Sequence, residues 1–203
     1  MGINPNENSL IPSESNSPRK AVFLDRDGTL IKHVDLLTKI EEVEFFDDSK
    51  EAVVALNKLG FLVVIITNQA VVARGLIDEK GIDEIHAVMV KKLGQKGARI
   101  DAVYFCPHHP EATLESYRIK CDCRKPNPGM VISALEEHGI NPSLSYMVGD
   151  SMSDIEAGKR AGVKTILLKT GPGHATDKDY QELKPDFIAH SLTETVEIIE
   201  HNS

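Results

Sequence analysis

Apolar residues along this chain fall into two alternating kinds of segment. Short, nearly continuous runs occur at Ala21–Asp25, Phe61–Thr67, Ala102–Cys106, Ser145–Gly149 and Val163–Lys169, and a last short run is expected at Asp186–Ala189. Unbroken rather than alternating apolarity predicts strands covered on both faces. Between them the spacing becomes helical. Residues 48–59 put Ala52, Val53, Leu56 and Leu59 on one face and stop at Gly60. Residues 78–96 open at Asp78 and present Ile82, Ile85, Met89, Val90 and Leu93. A third helix is expected to begin at Pro128 as its first residue and to end near Gly139. A fourth is expected to start on a capping box of Ser153 and Glu156 and to close at Gly162. Alternation of this kind predicts an α/β fold, a doubly wound, Rossmann-like and mostly parallel sheet.

Met1 to Lys20 does not fit the pattern. Rich in Asn, Ser and Pro and poor in periodic apolar residues, it cannot bury a core, so residues 1–19 are expected to form a disordered tail before one domain at 20–203. The remaining length suits one sizeable core. The longest strongly apolar run, Phe61 to Ile66, is far too short to span a membrane. No segment resembles a secretory signal, so a cytoplasmic protein without a membrane partner is expected. The net charge of −8 argues against a nucleic-acid partner held through phosphate neutralisation. A monomer acting on a small molecule is expected.

In an open parallel sheet, ligands bind beyond the carboxyl ends of the strands. There the chain places Asp25, Thr67, Cys106 and Asp150. Asp25-Arg26-Asp27-Gly28-Thr29 is the sharpest motif. Two carboxylates two residues apart, leaving a buried strand, can face one small volume; one can attack phosphorus while the other moves the leaving-group proton. Read alone, the pentapeptide is also compatible with an acidic turn. Thr67-Asn68-Gln69 adds a hydroxyl and backbone donors for phosphoryl oxygens, and Lys125 adds a positive charge. Asp150, in Gly149-Asp150-Ser151-Met152-Ser153-Asp154, can complete a hard oxygen site for Mg²⁺.

In this order and spacing the motifs resemble those of the haloacid dehalogenase-like hydrolases, over roughly residues 20–190. The resemblance implies that Asp25 is the nucleophile, Asp27 the acid/base, and Thr67 and Lys125 the second and third motifs. It further implies Mg²⁺ on Asp25, the Asp27 backbone carbonyl and Asp150, with Asp154 orienting the lysine. Within that superfamily an Asp at position 27 suits a phosphatase or a mutase. Residues 30–47 leave room only for a short flap, not the larger cap usual in mutases.

The second constellation is Cys106-Pro107-His108-His109-Pro110 followed by Cys121-Asp122-Cys123. Three cysteines are a poor disulfide framework, whereas three thiolates and one imidazole make a closed, structural Zn²⁺ site. His108 is the preferred nitrogen ligand, with His109 as the alternative. Such a loop, running straight into Arg124-Lys125-Pro126-Asn127-Pro128-Gly129-Met130, resembles that of the D-glycero-D-manno-heptose-1,7-bisphosphate 7-phosphatases. There Cys106, His108, Cys121 and Cys123 match the zinc ligands. Histidinol-phosphate phosphatases share a related, generally shorter loop. Ala73-Arg74-Gly75 also favours the heptose group.

The implied substrate is a small sugar phosphate, contacted by Asn68, Gln69, Arg74 and Arg124, the two arginines meeting a second phosphate. Phosphatase action on histidinol phosphate or another small phosphate ester, and a noncatalytic phosphosugar-binding module, are the alternatives. Two stretches depart from the heptose pattern: His33-Val34-Asp35-Leu36 lacks an Asp-x-Gly-Tyr-like element, and Ala70-Val71 stands where Ser-Gly is common. His86 reads as a packed or surface histidine, His174 as part of a turn, and Glu41–Glu44 as a solvated face.

Overall fold

The computed structural model describes residues 2–3, 18–171 and 183–203. Its strands are β1 (Gly2–Ile3), β2 (Ala21–Leu24), β3 (Leu62–Asn68), β4 (Ala102–Cys106), β5 (Tyr146–Gly149), β6 (Lys164–Leu168) and β7 (Phe187–Ala189). They form one sheet in the order β1-β4-β3-β2-β5-β6-β7. The six strands β2 to β7 are parallel, and β1 pairs antiparallel with β4 at the edge. Gly2–Ile3 belongs to the segment read as a disordered tail; residues 4–17 of that segment, and His174, lie outside the described residues.

The helices are α1 (Ser49–Lys58), α2 (Ala70–Ala73), α3 (Glu79–Gly94), α4 (Gly129–His138), α5 (Met152–Arg160) and α6 (Leu192–His201). Asp78 caps α3, its side chain accepting from Gly81 N at 2.8 Å. Two expected helix starts shift. Pro128 is the residue before α4 rather than its first, because its carbonyl accepts the opening bond, from Ile132 N at 2.9 Å. The capping box of α5 is Ser151 and Asp154, not Ser153 and Glu156. Ser151 has extended backbone, and its N–H donates to Asp154 Oδ2 at 3.1 Å, so the helix is under way by Met152. α6 lies beyond the predicted elements; the Ser191/Glu194 pair that opens it is legible in the sequence.

Strand periodicity sorts the core. Val22 and Leu24 pack with Val53, Leu56, Ile65 and Met89 on one face, while Ala21 and Phe23 pack with Ile66, Met130 and Met147 on the other. Each large apolar side chain so buried contributes about 1.5–3 kcal/mol. Residues 30–47 form a short flap rather than a domain. Its Leu30, Ile31 and Leu37 are buried in the core, and Ile31 bridges Phe45 in antiparallel fashion.

From β2 the chain builds outward through β3 and β4, then returns to lay β5 against the opposite side of β2. The order reverses at β2, so the crevice lies at the carboxyl ends of β2, β3 and β5. Asp25 and Asp150 directly follow neighbouring strands.

Candidate active site

Lys125 is the buried hub of the crevice. Its ammonium donates to Asp25 Oδ1 at 2.7 Å and to the Ile66 carbonyl at 2.9 Å, and it pairs with Asp154 Oδ1 at 2.6 Å. Asp154 Oδ2 accepts from Ser151 N and Oγ. Both oxygens of Asp154 are therefore engaged, one by the lysine and one by the start of α5. The same carboxylate caps a helix and positions a cation.

Lys125 is held by its backbone as well. Asn68 Nδ2 donates to the Lys125 carbonyl at 3.0 Å, and Lys125 N donates to Asn68 Oδ1 at 3.1 Å. Asn68, expected at the substrate, thus has both amide atoms on the lysine loop. Gln69, expected in the same role, points at Asp27: its Nε2 donates to Asp27 Oδ2 at 3.0 Å and to Thr67 Oγ1 at 2.8 Å. Since Thr67 Oγ1 accepts from Gln69, its own proton is left to donate elsewhere.

Arg26, at the centre of the DRDGT motif, has no role legible in the sequence. It is fully buried. Its Nε and one terminal nitrogen donate to Asp27 Oδ2 and Oδ1 at 3.0 and 3.1 Å, and the latter nitrogen also reaches Gln69 Oε1 at 2.8 Å. The other terminal nitrogen meets His86 Nε2 at 3.1 Å.

Oxygens of Asp25, Asp150 and Asp154 all lie within 4.8 Å of one another. With Asp154 committed to Lys125 and Ser151, Asp25 and Asp150 are the pair suited to a cation. Burial pushes the Asp25 carboxyl up to about 7, with Asp154 and Asp27 adding to the rise and Lys125 opposing it. The carboxylates of Asp25, Asp27, Asp150 and Asp154 gather here with Arg26 and Lys125 among them. Hard oxygen donors such as these suit Mg²⁺.

The cysteine loop gathers as its spacing predicts. Sγ of Cys106, Cys121 and Cys123 and Nδ1 of His108 lie within 4.8 Å of one another, a soft donor set suited to zinc. Contact with Cys106 holds the Cys123 thiol down to about 5, and the same contact, with burial, pushes Cys106 up. His109 turns away, its Nδ1 accepting from Glu111 N at 3.1 Å. Between the two histidines, geometry selects His108.

The loop is tied to the crevice. Arg124 donates to the His108 carbonyl at 3.0 Å, Asn127 to the Cys121 carbonyl at 2.8 Å, and Gly129 N to the Asp122 carbonyl at 2.9 Å. Arg124 and Arg74 lie close enough for each other's charge to be felt, which, after burial, helps lower the Arg124 pKa. Asp25, Asp27, Thr67, Lys125 and Asp150 line a cavity of about 300 Å³. A second, of about 230 Å³, shares Asp27, His33 and Asn68 with it and extends to Arg74.

A family model described as HAD-hydrolase-like matches residues 122–195. A D-glycero-β-D-manno-heptose-1,7-bisphosphate 7-phosphatase of Photorhabdus laumondii is 39% identical over 175 residues, 86% of this chain and 92% of its own. The chain belongs to the haloacid dehalogenase-like hydrolases. The enzyme of the same name from Pasteurella multocida is 40% identical over 182 residues, 89% of this chain and 97% of its own. Among solved structures, this HAD-like hydrolase is similar to a D,D-heptose 1,7-bisphosphate phosphatase of B. bronchiseptica, complexed with magnesium and phosphate. The TM-score is 0.77 at 30% identity, covering 91% of this chain and 99% of that one. Its relatives are phosphatases, and so is this hydrolase.

Proposed function

We propose that this phosphatase removes the 7-phosphate of D-glycero-D-manno-heptose 1,7-bisphosphate through an aspartyl-phosphate on Asp25. The observation that carries the reading is the pair of cavities with shared walls, one lined by Asp25 and the other by Arg74. A bisphosphate spans them with its reacting group at Asp25 and its second phosphate towards Arg74 and Arg124. The named activity of the relatives supports the same substrate.

Asp25 attacks phosphorus as the ester P–O bond breaks, and Asp27 gives its proton to the departing sugar oxygen. Asp27 then takes a proton from water, whose oxygen attacks the acyl phosphate, releasing inorganic phosphate and restoring Asp25. Lys125 offsets charge on the nucleophile and the phosphoryl oxygens, and Thr67 donates its hydroxyl proton to one of them. Asp25, Asp150 and the Asp27 carbonyl are the groups that would hold Mg²⁺. When bound, the ion offsets the like charges that oppose attack by a carboxylate on a phosphate. Cys106, His108, Cys121 and Cys123 would hold Zn²⁺ as a structural staple.

Histidinol phosphate fits less well. It carries one phosphate, so nothing in it would meet Arg74 as a second phosphate does. A noncatalytic binding module would have no need of Asp25, Lys125 and Asp154 in one charge-paired cluster. The test is a side-by-side measurement of kcat/KM on the heptose bisphosphate and on histidinol phosphate. The bisphosphate is expected to be preferred, and Arg74→Ala to narrow that preference; equal or better turnover of histidinol phosphate overturns the assignment.

A further inference from the structure

Behind Asp27 lies a buried pair that phosphoryl transfer does not touch. His86 projects from the buried face of α3, beside Ile82, Ile85 and Met89, and its ring meets Phe105 edge-on at 5.6 Å between centroids. Such a setting is apolar, and a leucine or phenylalanine would satisfy it. Yet His86 Nε2 lies 3.1 Å from an Arg26 terminal nitrogen. A guanidinium has only donors, so Nε2 must be the acceptor, the ring proton is on Nδ1, and the imidazole is neutral. Its pKa, pushed down to about 3 by burial and then by Arg26, agrees. Nδ1 has no hydrogen-bond partner among the described residues, so the guanidinium is the polar group this histidine serves.

Arg26 in turn reaches both oxygens of Asp27. We infer that His86 is a positioning residue for the acid/base step: from α3 it fixes the Arg26 guanidinium, and through it the carboxyl of Asp27. Three groups thereby set the angle of Asp27 from behind, since Gln69 bridges Arg26 and Asp27 by accepting from one and donating to the other. Asp27 itself still lines the cavity. Proton transfer to a leaving oxygen falls off steeply with misplacement, and a shift near 1 Å can cost about 100-fold. Losing the Nε2 acceptor frees the guanidinium to rotate and lets Asp27 drift.

The inference rests on the acid/base role of Asp27, so the test must separate the two. His86→Leu keeps the bulk and removes the acceptor; His86→Gln retains a carbonyl oxygen that can take the place of Nε2. Turnover is measured with a sugar phosphate, whose alkoxide leaving group needs a proton, and with p-nitrophenyl phosphate, whose phenolate barely does. His86→Leu is expected to lose about 10- to 100-fold in kcat on the sugar phosphate, far less on the aryl ester, with KM little changed. His86→Gln is expected to recover most of the loss, and His86→Leu to add nothing once Asp27 is already Asn. Equal losses on both esters, or no recovery in His86→Gln while both variants unfold as wild type does, would mean that His86 only packs. If Asp27→Asn itself shows no leaving-group dependence, the acid/base reading falls first, and this inference with it.

Discussion

A Cβ added to Gly28 would stand 2.4 Å from Asp150 Oδ2. The Asp150 carboxylate is seated against bare backbone: Gly171 lies beside Gly28, and a Cβ added there would stand 1.9 Å from the same oxygen. Gly28 also has φ +81°, where an L side chain is strained in any case. Gly171→Ala tests the close approach without the φ penalty known at Gly28. It is expected to raise the Mg²⁺ concentration giving half-maximal turnover by at least about tenfold, a loss near 1.4 kcal/mol, while the protein stays folded. An unchanged Mg²⁺ titration would mean that Asp150 does not hold the ion.

Asp25→Asn is expected to abolish multiple turnover. Asp25 is the carboxylate facing both Lys125 and the cavity, and an amide is too weak a nucleophile to replace it. Circular dichroism should remain native, and a beryllium fluoride complex should form on wild type but not on the variant. Turnover near the wild-type rate in purified Asp25→Asn would remove Asp25 from the mechanism.

Asp27→Asn is expected to lower kcat by about 10²–10⁴-fold on a sugar phosphate, the usual range for a positioned acid/base. The amide can still meet Gln69 and Arg26 in part, so the fold should survive. Single-turnover and steady-state rates on alkyl and aryl esters provide the check, the aryl ester losing less.

One zinc per chain is expected after purification without added zinc. Cys121→Ser should remove it, lower Tm and raise KM, because Arg124 and Asn127 are hydrogen-bonded to the loop carrying the ligands. Elemental analysis decides the first half. Zinc alone sustaining full turnover without Mg²⁺ would refute its structural role.

His86 also makes a thermodynamic prediction. Its pKa is pushed from 6.5 down to about 3 in the fold. Between these values the unfolded chain binds a proton that the folded chain does not, so stability falls as pH drops. The slope from this group is at most about 1.4 kcal/mol per pH unit. Urea unfolding from pH 7 to pH 5 should therefore show a shallower loss in His86→Gln than in wild type, and equal slopes would show that His86 titrates alike in both states.

What the sequence determined by itself follows from local physics. Unbroken apolar runs this short and rich in β-branched residues read as strands covered on both faces, so β2 to β6 were legible, and β7 nearly so. The capping side chain of Asp78 was legible too. Carboxylates at strand ends and a Cys-x-His…Cys-x-Cys spacing carry their chemistry in a few neighbouring residues. The tertiary structure alone decided what depends on pairs far apart in the chain. The cap of α5 is Ser151 instead of the expected Ser153, because from there Asp154 serves the helix and Lys125 together. His109 stayed open as the alternative to the preferred His108 until the loop turned it away. Asn68 and Gln69, polar residues beside a phosphate site, proved to be occupied by Lys125 and Asp27. Arg26 and His86 are 60 residues apart. Neither had a visible partner in sequence, because a buried charge is explained only by the groups that the fold brings around it.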